Sequence, residues 1–207
     1  MTPRDEVLAR VRSALAAAGP RGESAGTAYQ RTYATTTNEA DLVGLFVERV
    51  ADYRAVVVRC AEAEVPARVR EGLARAARVI VPEGFPERLL GLPDGAERVA
   101  DTALSNAELD HTDAVVTLAT VGIATTGTIV LEHGSGQGRR ALSLVPDLHV
   151  CVVTADQVVG GVPEAVARLD PTRPMTWISG PSATSDIELD RVEGVHGPRS
   201  LHVVVVG

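Results

Sequence analysis

AVVVRCAEAEVPARVREGLARAARVIVP, residues 55–82, reads as a strand, a helix and a second strand in succession. AVVVR (55–59) and RVIVP (78–82) are short, continuous and valine-rich rather than alternating, the pattern of strands covered on both faces. Residues 64–76 between them read as helix. The same texture returns in AVVTLAT (114–120), TIVLE (128–132), HVCVVT (149–154), MTWIS (175–179) and LHVVVV (201–206). Helices separate the early strands, which implies a parallel sheet covered on both faces. Shorter connections within 114–132 and 148–154 leave room for an antiparallel hairpin that would make the sheet mixed. The expected fold is a three-layer α/β domain with one mostly parallel, mixed sheet and helices on both faces.

Upstream, TPRDEVLARVRSALAAAG (2–19) carries helix punctuation: Thr2 as N-cap, Pro3 in the first turn, Asp5 and Glu6 at the positive end of the dipole. Leu8, Val11 and Leu15 form one apolar face. A second helix is expected in NEADLVGLFVERVADY, capped by Asn38. Residues 1–27 read as a helical arm and linker, and 28–207 as the α/β domain.

A chain of 207 residues suits one domain with at most a small appendage. Its aromatic content is 3%, so the core must be aliphatic. All 20 basic residues are arginine, which excludes a Schiff-base lysine, a pyridoxal-phosphate enzyme and the lysine of a Walker A loop. A net charge of −7 argues against a sequence-independent nucleic-acid binder. Cys60 and Cys151 both sit in apolar runs and read as buried reduced thiols; two cysteines cannot ligate an iron–sulfur cluster. No apolar run approaches the roughly 20 residues of a membrane span, and the N-terminus lacks the apolar region of a signal peptide. A cytoplasmic location is expected.

Three stretches could carry chemistry. In VGIATTGTIVLEHGSGQGRR (121–140), alternation puts Thr126, Thr128, Val130 and Glu132 on one face, and Gly127 lets a ligand or another backbone approach closely. Gly134–Gly138 leads into Arg139 and Arg140, whose guanidinium groups beside free backbone amides suit a carboxylate or phosphate. In SGPSATSDIELD (179–190), Gly180-Pro181 makes a turn, and Ser182 or Thr184 can cap a short helix whose amides would hold an anion. Asp186 and Glu188 there serve either as helix-terminal carboxylates or as general acid/base or nucleophile. In GVHGP (194–198), His196 stands between glycines before the last strand, where a proton shuttle is conceivable. His149 opens its strand at the sheet margin. His149, His196, Asp186 and Glu188 lack the spacing of a metal site.

IATTGTIVLEHG…GRRALSLVPDLHVCVV, then GPSATSDIE, then GVHGPRSLHVVVV, resembles the lactate-utilization protein C family, the LUD-domain proteins. The family elements fall on Thr126, Gly127 and Thr128; on Arg139, Ser143, Pro146 and His149; on Gly180, Pro181, Ser182, Thr184, Asp186, Ile187 and Glu188; and on Gly194, His196, Gly197 and Pro198. The resemblance covers residues 114–207. It implies a fold similar to the CoA-transferase and sugar-phosphate isomerase group, and a role in oxidising L-lactate to pyruvate beside two iron–sulfur partners, lactate-utilization proteins A and B. The clusters would then sit in those partners and this chain would bind no cofactor of its own. On this view Arg139 or Arg140 clamps a small anionic metabolite, Thr126 and Thr128 hydrogen-bond it, and His196 or Glu188 accepts a proton. Two other functions compete: a non-catalytic assembly or regulatory subunit, and a CoA- or acyl-transferring enzyme with Glu132 or Glu188 as nucleophile.

Overall fold

The computed structural model describes residues 2–18, 34–184, 192–193 and 197–207, with 183–184 and 192–193 as backbone. The chain forms two compact units, Met1–Ala34 and Thr35–Gly207. The first contains α1 (Pro3–Ala17), closed at its N-terminus by a reciprocal cap: Asp5 N–H donates to Thr2 Oγ1, and Thr2 N–H donates to Asp5 Oδ2. Val7, Leu8, Val11 and Leu15 are all exposed.

The second unit runs α2 (Leu42–Asp52), β1 (Val56–Cys60), α3 (Val65–Gly72), β2 (Arg78–Ile80), β3 (Glu97–Val99), α4 (Asn106–Asp110), β4 (Ala114–Leu118), β5 (Val121–Ile123), β6 (Thr128–Leu131), β7 (Leu148–Thr154), β8 (Val158–Val159), α5 (Val162–Arg168), β9 (Thr176–Ile178), β10 (Ala183–Thr184), β11 (Val192–Glu193) and β12 (Ser200–Val206). Six strands form an entirely parallel sheet in the order β1-β12-β7-β4-β2-β3. The strand–helix–strand of residues 55–82 is parallel, as its sequence suggests, but its strands are not neighbours: three others lie between β1 and β2.

Period-2 alternation sorts the sheet's side chains into two cores. Val79, Val116, Val150, Val152 and Val204 pack beneath Val65 and Val69 of α3 and Leu73 at its C-terminal cap. Cys151, Val153, Leu201, Val203 and Val205 face the other way, against Phe46 and Val50 of α2. Phe46 and Val50 are fully buried, each contributing about 1.5–3 kcal/mol. Asp41 rather than Asn38 caps α2, its Oδ1 accepting from Gly44 N–H at 2.8 Å. β1 is half open rather than fully buried, because it is the sheet's edge.

The antiparallel hairpin exists, but it leaves the main sheet. β5 and β6 pair antiparallel within a second, four-stranded sheet, β8-β5-β6-β9. Ile129 and Leu131 turn inward to the α2-side core, whereas Val121, Ile123 and Val130 turn outward beneath Ala165 of α5 and Leu169 at its C-terminal cap. The mixed character lies in this smaller sheet. No helix among the described residues is long and apolar enough to cross a membrane.

Candidate functional site

His149 and Leu201 are the second residues of β7 and β12, aligned with each other in the parallel register. Leu201 belongs to the α2-side core. Around them a cavity of about 240 Å³ opens. Ser143 and Leu144 border it from the 3₁₀ turn Arg140–Ser143 and the residue after it. Residues 176–179 of β9 and its end form a second wall, and Gly180, Pro181, Ser182, Gly197 and Pro198 a third. That third wall is tied together: Ser182 N–H donates to the Pro198 carbonyl at 2.8 Å. Gly180 is required there, with φ 86° and a hypothetical Cβ only 2.5 Å from Cβ of Tyr53, the residue that ends α2. None of the described lining residues carries a formal charge at neutral pH.

The polar groups of the cavity are held by partners behind them. His149 is 1% exposed, and its Nε2 lies 2.8 Å from Thr117 Oγ1 on β4. Thr117 in turn donates to Cys151 Sγ at 3.6 Å. Burial depresses the His149 pKa from 6.5 to about 4, so the ring is neutral at physiological pH. The same burial pushes the Cys151 thiol up to about 12, which keeps it protonated and inert. Cys60 is also a buried free thiol, in the core beneath α3 and so on the opposite side of the sheet.

Thr176, 7% exposed, contacts His133 Nε2 at 2.8 Å, while His133 Nδ1 lies 3.1 Å from the Gly138 carbonyl. The carbonyl can only accept, so Nδ1 carries the proton and Thr176 donates to Nε2. Burial lowers the His133 pKa, which the Gly138 hydrogen bond partly opposes. Ser143 Oγ donates back to the Arg140 carbonyl at 3.1 Å. Beside the cavity runs a line of hydroxyls: Thr126 Oγ1 to Thr128 Oγ1 at 2.7 Å, then Thr128 Oγ1 to Ser179 Oγ at 2.8 Å.

The sequence-derived candidates separate accordingly. His149 and Ser182 border the cavity, and Thr128 reaches it through Ser179. Thr126 is exposed at the hairpin turn. Gly127, at φ 57°, admits a backbone rather than a ligand: a Cβ there would come within 2.6 Å of Arg49 C in α2. Arg139 grips Asp101 with two hydrogen bonds, at 2.8 and 3.1 Å, and so is not an open clamp. Arg140 is exposed and absent from the cavity lining. The glycine-rich loop is stitched rather than open. Gln137 Oε1 accepts from Glu132 and His133 N–H, its Nε2 donates to Thr120, and Gly136 N–H donates to Glu83. Glu132 is 8% exposed and caps Asp170 N–H at 2.6 Å, a structural engagement that leaves it poorly placed as a nucleophile.

At residues 182–184 no helix begins. Ala183–Thr184 form β10, paired antiparallel with β11, and Ser182 N–H is already satisfied by Pro198. The Thr184 side chain, Asp186, Glu188 and His196 lie outside the described residues. The cavity opens at the amino ends of β7 and β12, not at the carboxyl ends where open α/β sheets usually bind ligands. Thr117, Thr176 and His133 escaped the sequence reading. Thr117, in the middle of the AVVTL strand, was the available signal, since a polar residue on a doubly covered strand needs a buried partner.

The LUD domain model matches residues 36–206. The chain is 50% identical over 175 residues to a lactate utilization protein C of Deinococcus radiodurans, covering 82% of each. It is 32% identical over 105 residues to a lactate utilization protein C of Halalkalibacterium halodurans, covering 46% of this chain and 45% of that one. Its fold is similar to the crystal structure of a DUF162 family protein from Deinococcus radiodurans, with TM-score 0.68 and 42% identity, covering 85% of this chain and all of the other.

Proposed function

The chain belongs to the LUD-domain family, and from that membership we propose that it is a component of a cytoplasmic L-lactate-oxidising system, converting lactate to pyruvate beside iron–sulfur partners, lactate-utilization proteins A and B. Within that system the chain holds a small metabolite, and electrons leave through the partners' clusters. Two cysteines buried on opposite sides of a sheet cannot share a cluster. A neutral His149 with a pKa near 4 is a poor proton carrier at pH 7 but a good hydrogen-bonding group, which favours binding over acid–base work.

One observation carries this reading. Elements that are far apart in sequence, S-L-x-P-x-x-H (143–149), G-P-S (180–182) and G-P (197–198), border the same cavity, and T-G-T (126–128) touches it through Ser179. Complementation tests it. A Deinococcus radiodurans strain lacking its lactate utilization protein C is expected to regain growth on L-lactate, and lactate-dependent dye reduction in extracts, when it expresses this chain. Normal accumulation of the chain without either recovery overturns the proposal.

A non-catalytic assembly role is favoured by one feature, the four exposed apolar residues of α1. Pull-down of the iron–sulfur proteins with and without residues 1–27 separates the readings: partner capture that depends on the arm, with lactate binding absent, supports assembly alone.

A further inference from the structure

From Glu132 to Gly138 the glycine-rich loop is fastened at every backbone amide but two. Gln137 Oε1 takes those of Glu132 and His133, the Glu83 carbonyl takes that of Gly136, and the Gly134 carbonyl takes those of Gln137 and Gly138. Gly134 and Ser135 N–H have no acceptor among the described residues, and neither residue is buried. Two exposed arginines stand beside them. The Arg173 guanidinium lies over Gly134, so close that a Cβ there would come within 3.0 Å of Nη2. Arg140 follows Gly138 by two residues and heads the 3₁₀ turn Arg140–Ser143. The half-buried His133 ring ties these segments together, with Nδ1 3.1 Å from the Gly138 carbonyl and Nε2 2.8 Å from Thr176 Oγ1. Burial is the main cause of its lowered pKa, the Gly138 carbonyl opposes that, and the charges of Arg140 and Arg173 lower it further, which sets both cations near one ring. His133 also holds φ 56°, a backbone region most side chains avoid.

Neither arginine forms an ion pair among the described residues. Eight others in this unit do. Arg75 does not, but it borders a cleft with Glu71, Asp110, Asp113 and Asp147. The acids near Arg140 and Arg173 are engaged elsewhere. Asp101 holds Arg139, Glu132 caps Asp170 N–H, and Asp170 accepts from Thr172 and feels Arg173 only at a distance. A chain of net charge −7 repels anions as a whole, so two unpaired guanidinium groups beside two free amides are a local exception. A carboxylate has two coplanar oxygens, which one arginine fork satisfies. A phosphoryl group spreads its oxygens tetrahedrally and can take a fork from each of two arginines as well as backbone amides. We propose that Gly134, Ser135, Arg140 and Arg173 form a binding site for a phosphoryl group, free or carried by a small organic ligand, with His133 holding the two arginine-bearing segments in place. None of the four residues lines the cavity, so this site stands apart from it and from the lactate-oxidising role.

The test is calorimetric titration of the full chain with sodium phosphate, glycerol phosphate and sodium acetate at neutral pH and constant ionic strength. Phosphate is expected to bind saturably, and acetate about tenfold more weakly or less. Glycerol phosphate separates the two sources of the group. Tighter binding than inorganic phosphate assigns the site to a phosphorylated metabolite, and equal or weaker binding assigns it to the free ion. Arg140→Ala and Arg173→Ala are each expected to weaken phosphate about tenfold, the loss of one charge-assisted hydrogen bond. Arg75→Ala removes the same charge from a different surface and is expected to change the affinity by less than about twofold. The Gly134 and Ser135 amide resonances are expected to shift saturably with the calorimetric midpoint. Absence of saturable phosphate binding, acetate bound as tightly as phosphate, unchanged affinity in both loop variants, or an Arg75→Ala loss as large as theirs each overturns the inference.

Discussion

At His149 burial acts on a group that titrates within the pH range where the protein can be studied. Its folded pKa of about 4 lies below the ordinary 6.5, so between those values the unfolded chain binds a proton that the folded chain refuses. Stability is complete above about pH 6.5 and declines as pH falls toward 4, by on the order of 3 kcal/mol for this one ring. Urea unfolding at pH 7 and pH 5 is expected to show the decline, and His149→Gln to make it shallower. It will not be abolished, because burial also lowers the pKa values of His133 and His202. Arg139 gives the contrasting case. Read from GQGRR alone it is an anion clamp, and in the structure its guanidinium is held by an Asp101 side chain that is only 15% exposed. Arg139→Ala is expected to cost about 1–2 kcal/mol of stability with unchanged lactate affinity, Asp101→Asn to cost a similar amount, and the double variant to add little. A sequence shows that an arginine is present but not which carboxylate reaches it first. Asp101 is 38 residues away.

At the level of elements, the strands that were legible are those whose environment is uniform. β4, β7 and β12 lie inside the parallel sheet, both faces are covered, and an unbroken apolar run is the direct record of that. β5 was missed because Val121–Ile123 is only three residues long and contains Gly122, whose missing side chain leaves space for the Phe46 ring. β3 was missed because an edge strand reading Glu-Arg-Val carries no apolar signal. The helix expected at Ser182 failed for another reason: capping residues also suit a strand-pair stem, and the Pro198 carbonyl, 16 residues on, decides between them. The glycine-rich loop reads from its sequence as a row of free backbone amides, yet one side chain pins it. Gln137→Ala leaves two backbone amides and the Thr120 hydroxyl without their partner. It is expected to cost about 2–3 kcal/mol and to speed hydrogen exchange at the Glu132 and His133 amides specifically.

On the scale of the whole molecule, the α/β class and the parallel sheet followed from strand texture, whereas the convergence of motif segments did not. Ser143, His149, Ser182 and Pro198 become neighbours only because β7 and β12 are adjacent and in register, placing the turns before each strand at one edge. No periodicity encodes that adjacency. The division at residue 34 yields a further expectation: residues 35–207 hold both sheets and the cavity, so this fragment should fold with a cooperative transition and bind L-lactate as the full chain does. Loss of lactate affinity in a folded fragment would make the arm part of the site. The most direct measurement is nitrogen NMR of the full chain labelled with ¹⁵N-histidine, titrated with L-lactate. The account requires a neutral His149 ring at pH 7 before addition, and a saturable shift of its nitrogen resonances as the ligand enters the cavity that the ring borders. A doubly protonated His149 ring in the free protein at pH 7, or no response at saturating lactate, would contradict it.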